Sequence, residues 1–193
     1  MTSATSEVRA TATLLGLLAE TFTYPSEDLA RRIVGGAWPE ELARLLPSGV
    51  AVPPIPGDAT LRTLGMQYMG TFEIPAGSAC PLYTGVYARQ RREAMEELLR
   101  FYRHFGLTLS EDPRDLPDSV PTVLEFLQFL AWREARAEDG DDGMALRKAR
   151  RDIVQRHLGP WAKGTSERLA DRQELFYPRT VMLLRDLCET GFA

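Results

Sequence analysis

Histidine, cysteine and lysine are scarce in this chain, and each shortage closes off a kind of chemistry. Its 193 residues hold two histidines, His104 and His157, standing 53 positions apart. Neither has a second ligand at metal spacing, so a histidine metal site or a histidine-dependent hydrolase is not expected. The two cysteines, Cys80 and Cys188, form no CxxC pair and make no disulfide framework, so reduced thiols are the expectation. A phosphate-binding glycine loop (GxxxxGK), a dinucleotide fingerprint (GxGxxG) and a nucleophile elbow (GxSxG) are all missing. The acids of 138–143, EDGDDG, lack the spacing and closing glutamate of a calcium loop. No metal and no cofactor are expected.

Long apolar runs are missing too. Ala10 to Ala19 is uncharged, but ten residues cannot span a bilayer. The opening MTSATSEVRA lacks the basic start of a secretory signal, and Arg31-Arg32 sits inside a helical pattern rather than ahead of an apolar segment. The expectation is a cytoplasmic protein without stable membrane insertion. Lysine occurs only at 148 and 163, so nearly all positive charge is arginine. A net charge of −4 disfavours nonspecific nucleic-acid binding.

Helical spacing is what the chain has in quantity. Strand-like alternation nowhere exceeds about four residues, and 44% hydrophobic with 26% charged residues is ordinary for one globular domain. A first helix is expected from about Glu7 to Phe22, leaving 1–6 disordered. Ser26 caps a second that stops at Gly35-Gly36, and Pro39, after Trp38, opens a third. Asp58 is read as the cap of a fourth helix through Leu61, Leu64 and Tyr68. After an irregular stretch at 70–82, one long helix is expected from Tyr83 to Phe105, stopped by Gly106. Another runs from Met144 to Leu158 until Gly159-Pro160 interrupts it; Trp161 to about Gln173 and a segment from Pro178 complete the set. The reading is all-α: a single domain over 1–193, a bundle of about seven to nine helices.

Residues 111–137, EDPRDLPDSVPTVLEFLQFLAWREARA, say most about function. Two prolines and four acids crowd its approach, then Asp118 or Ser119 can cap a helix that tolerates Pro121 in its first turn. Val120, Val123, Leu124, Leu127, Leu130 and Ala131 make one buried face. Asp118 and Glu125 are nearly two turns apart and point almost the same way, with Phe129 and Trp132 further along. On spacing alone a structural helix with a cap and a surface acid accounts for this. The sharper reading is an acidic, aromatic-lined groove for a basic, partly apolar peptide. The paired carboxylates could in principle also do acid–base work, though no nucleophile accompanies them.

Within that stretch, LPDSVPTVLEFL (116–127) resembles the proline-aspartate signature of the TorD/DmsD/NarJ family, cytoplasmic chaperones that mature molybdenum enzymes. Pro117, Asp118, Leu124, Glu125 and Phe126 match; Ser119 stands where the family commonly has histidine. In CPLYTGVY (80–87), Pro81, Tyr83 and Tyr87 match a second family feature. Four residues apart on a helix, the two tyrosines would share one face, as core residues or as a groove floor for arginine. A third trace, His157-Leu158-Gly159-Pro160-Trp161, is similar to a turn found in many members. The matches run in order over roughly 70–165, and CPLY with LPDSVP leans to the NarJ-like branch that serves nitrate reductase and related type II enzymes.

The resemblance implies a non-enzymatic chaperone that binds the N-terminal, twin-arginine-type leader of a molybdopterin catalytic subunit until the cofactor is inserted. Taken with the groove reading, which contributes Phe129 and Trp132, it gives peptide-binding roles to Tyr83, Tyr87, Pro117, Asp118, Ser119, Glu125, Phe129, Trp132, His157 and Trp161. The oligomeric expectation is a monomer or a domain-swapped homodimer hinged at 138–143. The rival readings are a helical nucleotide-binding regulator, an enzyme with an unrecognised site, or a structural subunit of a redox complex.

Overall fold

The structure, a computed structural model, describes residues 3–73, 80–109, 116–137 and 140–190. Among these residues it holds nine α-helices and no strand: α1 (Ser3–Thr21), α2 (Glu27–Val34), α3 (Ala37–Leu45), α4 (Leu61–Tyr68), α5 (Arg91–His104), α6 (Val120–Glu134), α7 (Asp141–Ile153), α8 (Gly159–Arg168) and α9 (Phe176–Thr190). The all-α bundle is therefore the observed architecture. Glu111, Asp112, Asp115, Glu138 and Asp139 lie outside the described residues.

Helices α1 and α6 form the most extensive pair of the fold. They run antiparallel: Arg9 and Thr13 share a depression with Trp132 and Arg136, while Thr23 meets Ser119 and Thr122 at the other end. At their contact the amide end of Gln128 fills the space that a Cβ on Gly16 would take. The six α6 positions expected to face the core are fully buried, with no accessible surface. Around them, Phe22, Tyr68, Phe72, Trp161, Phe176 and Tyr177 make edge-on ring contacts that join α1, α4, α8 and α9. Trp38 closes the α3 side, its indole N–H donating to Thr21 Oγ1 at 3.0 Å.

Several boundaries differ from expectation, each for a local reason. Residues 3–6, expected to be disordered, are the first turn of α1. The α4 cap is Thr60, not Asp58: Thr60 and Thr63 exchange side-chain-to-backbone hydrogen bonds in a capping box. Gly159-Pro160 does not interrupt the chain. A π-helical turn over Val154–Leu158 runs directly into α8, and the N–H of Gly159 bonds to the Val154 carbonyl five residues back. That widened turn gives the Pro160 ring the room an α-helix would deny it. The expected long helix 83–105 is two pieces, a 3-10 turn at Thr84–Tyr87 and then α5.

Candidate functional site

The three motif stretches converge on one segment, residues 80–91. Tyr83 pairs with Ser119 in an isolated antiparallel bridge: the N–H of Thr84 donates to Asp118 O (2.7 Å), and that of Val120 to Leu82 O (2.9 Å). The indole of Trp161 donates to Pro81 O at 2.9 Å. Tyr87 lies against Gly164 with the Arg168 guanidinium 5.0 Å from its ring centre, and Thr165 Oγ1 is 3.3 Å from its hydroxyl. Tyr83 and Tyr87 therefore do not share a helix face. Tyr83 precedes the 3-10 turn in extended backbone.

Asp118 is the largest departure from expectation. Its side chain is wholly buried, and its carboxylate accepts from Arg91 Nε at 2.8 Å and Nη2 at 3.3 Å. The bond to Asp118 pushes the Arg91 guanidinium up from its usual value. Arg91 also lies over the Tyr83 ring, 4.7 Å from its centre. Asp118 does not cap α6; Ser119 holds the cap position without a side-chain bond. Pro117 is buried, and its carbonyl accepts from Tyr102 Oη at 2.7 Å.

Glu125 faces elsewhere. Together with Ser119 and Phe129 it lines a cleft of about 800 Å³, bounded also by Tyr24, Tyr68, Tyr102, Phe126, Pro121, Thr122 and the corner Leu107–Leu109. Five aromatic residues and one carboxylate line this concavity, whose surface is about equally polar and apolar; Tyr68, Tyr102 and Phe126 are themselves buried, so Tyr24 and Phe129 present most of the ring surface. Trp132 is not part of it. It is half exposed about two turns further along α6 than Glu125, under the Arg136 guanidinium (3.6 Å), beside Arg9 and Thr13. The expected trough with Asp118, Glu125, Phe129 and Trp132 together is thus corrected: one acid is sealed, and the tryptophan belongs to a separate depression.

His157 lines a third, polar cavity of about 610 Å³ with Tyr87, Glu93, Glu97, Arg100 and Arg156. Its Nε2 lies 3.2 Å from Glu97 Oε2. Burial pulls the imidazole below the ordinary histidine value and outweighs the nearby Glu97. Trp161 is fully buried in the aromatic core.

Tyr24, Tyr68, Tyr102 and Arg91 are not among the site residues expected from the sequence, and Phe126 is named there only as a match to the family signature. The tyrosines carry ordinary core spacing, and only folding brings them to one rim. Arg91 did carry a signal: a cation in the first turn of a helix opposes the dipole and needs a carboxylate from elsewhere.

Residues 35–167 match the nitrate reductase delta subunit family. The chain is 37% identical over 156 residues to the selenate reductase assembly chaperone protein of Thauera selenatis, spanning 79% of this chain and 72% of that one. It is 35% identical over 177 residues to the chlorate reductase assembly chaperone protein of Ideonella dechloratans, spanning 90% and 83%. A solved structure from Archaeoglobus fulgidus, assigned as a redox enzyme maturation protein, superposes with a TM-score of 0.52 over 91% of both chains. At 18% identity that likeness speaks for the fold.

Proposed function

The chain belongs to the nitrate reductase delta subunit family, and on that premise we propose that it is an assembly chaperone for the molybdenum-containing catalytic subunit of a reductase. The relatives named above are assembly chaperones of oxidoreductases rather than catalysts. The chaperone binds the N-terminal, twin-arginine-type leader of its client and holds it until the cofactor is inserted and the complex assembled. Among the described residues no helix is long and apolar enough to cross a membrane.

The 800 Å³ aromatic cleft is the observation that carries the leader-binding reading. A leader is basic with an apolar stretch, and the cleft offers the accessible rings of Tyr24 and Phe129 together with one acidic lining residue, Glu125. An exposed ion pair contributes only about 0–1 kcal/mol. Each large apolar side chain buried contributes about 1.5–3 kcal/mol. Affinity therefore comes from the rings, and the carboxylate selects for a cation and sets its register.

Fluorescence anisotropy of a labelled twin-arginine leader peptide with the full chain tests this. Phe129→Ala weakens binding about tenfold or more. Glu125→Gln weakens it up to about fivefold, less at high salt. Trp132→Ala leaves it unchanged. A leader that ignores Phe129 and responds to Trp132 moves the site off the cleft.

A further inference from the structure

We propose that Arg91 and Asp118 act together as a latch that sets one wall of the leader cleft, so that Asp118 is a positioning residue and never touches the client. This rests on the cleft reading above. The Asp118 carboxylate has no accessible surface, and both its oxygens are taken by Arg91. No gap admits a second cation there, because even a Cβ on Gly85 would stand 2.7 Å from Asp118 Oδ2 and 2.7 Å from Arg91 Cγ. A client guanidinium would have to evict Arg91 from a buried carboxylate to reach it.

What the pair holds is the backbone beside the cleft. Asp118 carries one of the two bridge hydrogen bonds on its own carbonyl, and its neighbour Ser119 lines the cleft. Arg91 begins α5, and the far end of that helix leads to Leu107–Leu109, which also line the cleft. The latch ties segment 80–91, the start of α6 and α5 into one unit. The cleft keeps its shape only while those three stay together.

The two possible roles of Asp118 predict opposite signs for Arg91. Under the latch, Arg91→Gln and Asp118→Asn each weaken binding of a twin-arginine leader peptide by the same factor, about five- to tenfold, and the double variant is no worse than either. Glu125→Gln multiplies with them, and Arg91→Lys recovers part of the loss. If Asp118 contacts the client, Arg91→Gln uncovers a carboxylate and tightens a basic leader, which overturns the latch. A lowered melting temperature with unchanged affinity overturns it as well.

Amide hydrogen exchange decides the latch without any leader. Exchange at Thr84 and Val120 rises equally in both single variants while α9 stays protected; exchange that does not change overturns the latch. A wild-type chain that binds no leader sinks the cleft reading alone, and the exchange result still stands.

Discussion

The ring of Tyr87 rests directly on Gly164, with no room between them for a methyl group. Thr165 and Arg168 hold the ring from the same helix, so α8 reads the 80–91 segment through one tyrosine. Gly164→Ala forces Tyr87 off this seat. The expected loss is about 1–3 kcal/mol in urea unfolding, the usual cost of overpacking. A variant as stable as the parent contradicts the packing described.

Glu134 anchors α6 to α7. Its buried carboxylate accepts from Arg147 Nε at 2.8 Å and from Arg150 Nη2 at 3.1 Å, and Arg150 is itself buried. Removing only the acid strands the Arg150 guanidinium, whose proton affinity burial already lowers. Glu134→Ala therefore costs about 3–5 kcal/mol, whereas Glu134→Leu with Arg150→Met recovers most of that loss. Arg147→Ala, at the exposed end, costs about 1 kcal/mol or less. Chemical denaturation of the three variants ranks them.

His157 makes stability fall on mild acidification. Its folded pKa lies below the unfolded value of 6.5, so the unfolded chain binds more protons as pH drops through that point. Stability is full above 6.5 and declines from there down to the folded pKa. His157→Gln removes this component of the slope. Melting temperatures of parent and variant from pH 8 to 5 give the comparison; parallel curves refute the assignment.

Tryptophan fluorescence separates the Trp132 depression from the cleft. Trp38 and Trp161 are fully buried, while Trp132 is 48% exposed beneath Arg136. Acrylamide quenching belongs almost entirely to Trp132: Trp132→Phe abolishes it and Arg136→Ala increases it. Saturating leader peptide leaves the quenching unaltered, because Trp132 lies in a depression separate from the cleft.

The chain's order of helices was legible because helical spacing is written locally. Ser26 caps α2, Gly106 ends α5 with a positive φ of 78°, and the apolar face of α6 is buried position by position. Readings went astray where a neighbour outside the local window decided the matter. Periodicity placed Asp118 and Glu125 on one stripe, but Asp118 stands just before α6 begins and turns to an arginine 27 residues earlier. Trp132 does continue the stripe of Glu125 and Phe129, but seven residues past Glu125 puts it about 10 Å further along α6, where Arg136, Arg9 and Thr13 surround it instead of the cleft.

By itself, then, the sequence determined an all-helical chain, its family signatures and the lack of the phosphate-loop, dinucleotide and nucleophile-elbow motifs, since composition and period need no partner to be read. Only the tertiary structure decided which acid is sealed and which lines the cleft. A buried carboxylate takes its nearest cation in space, and nearness in space is settled by packing rather than by chain position.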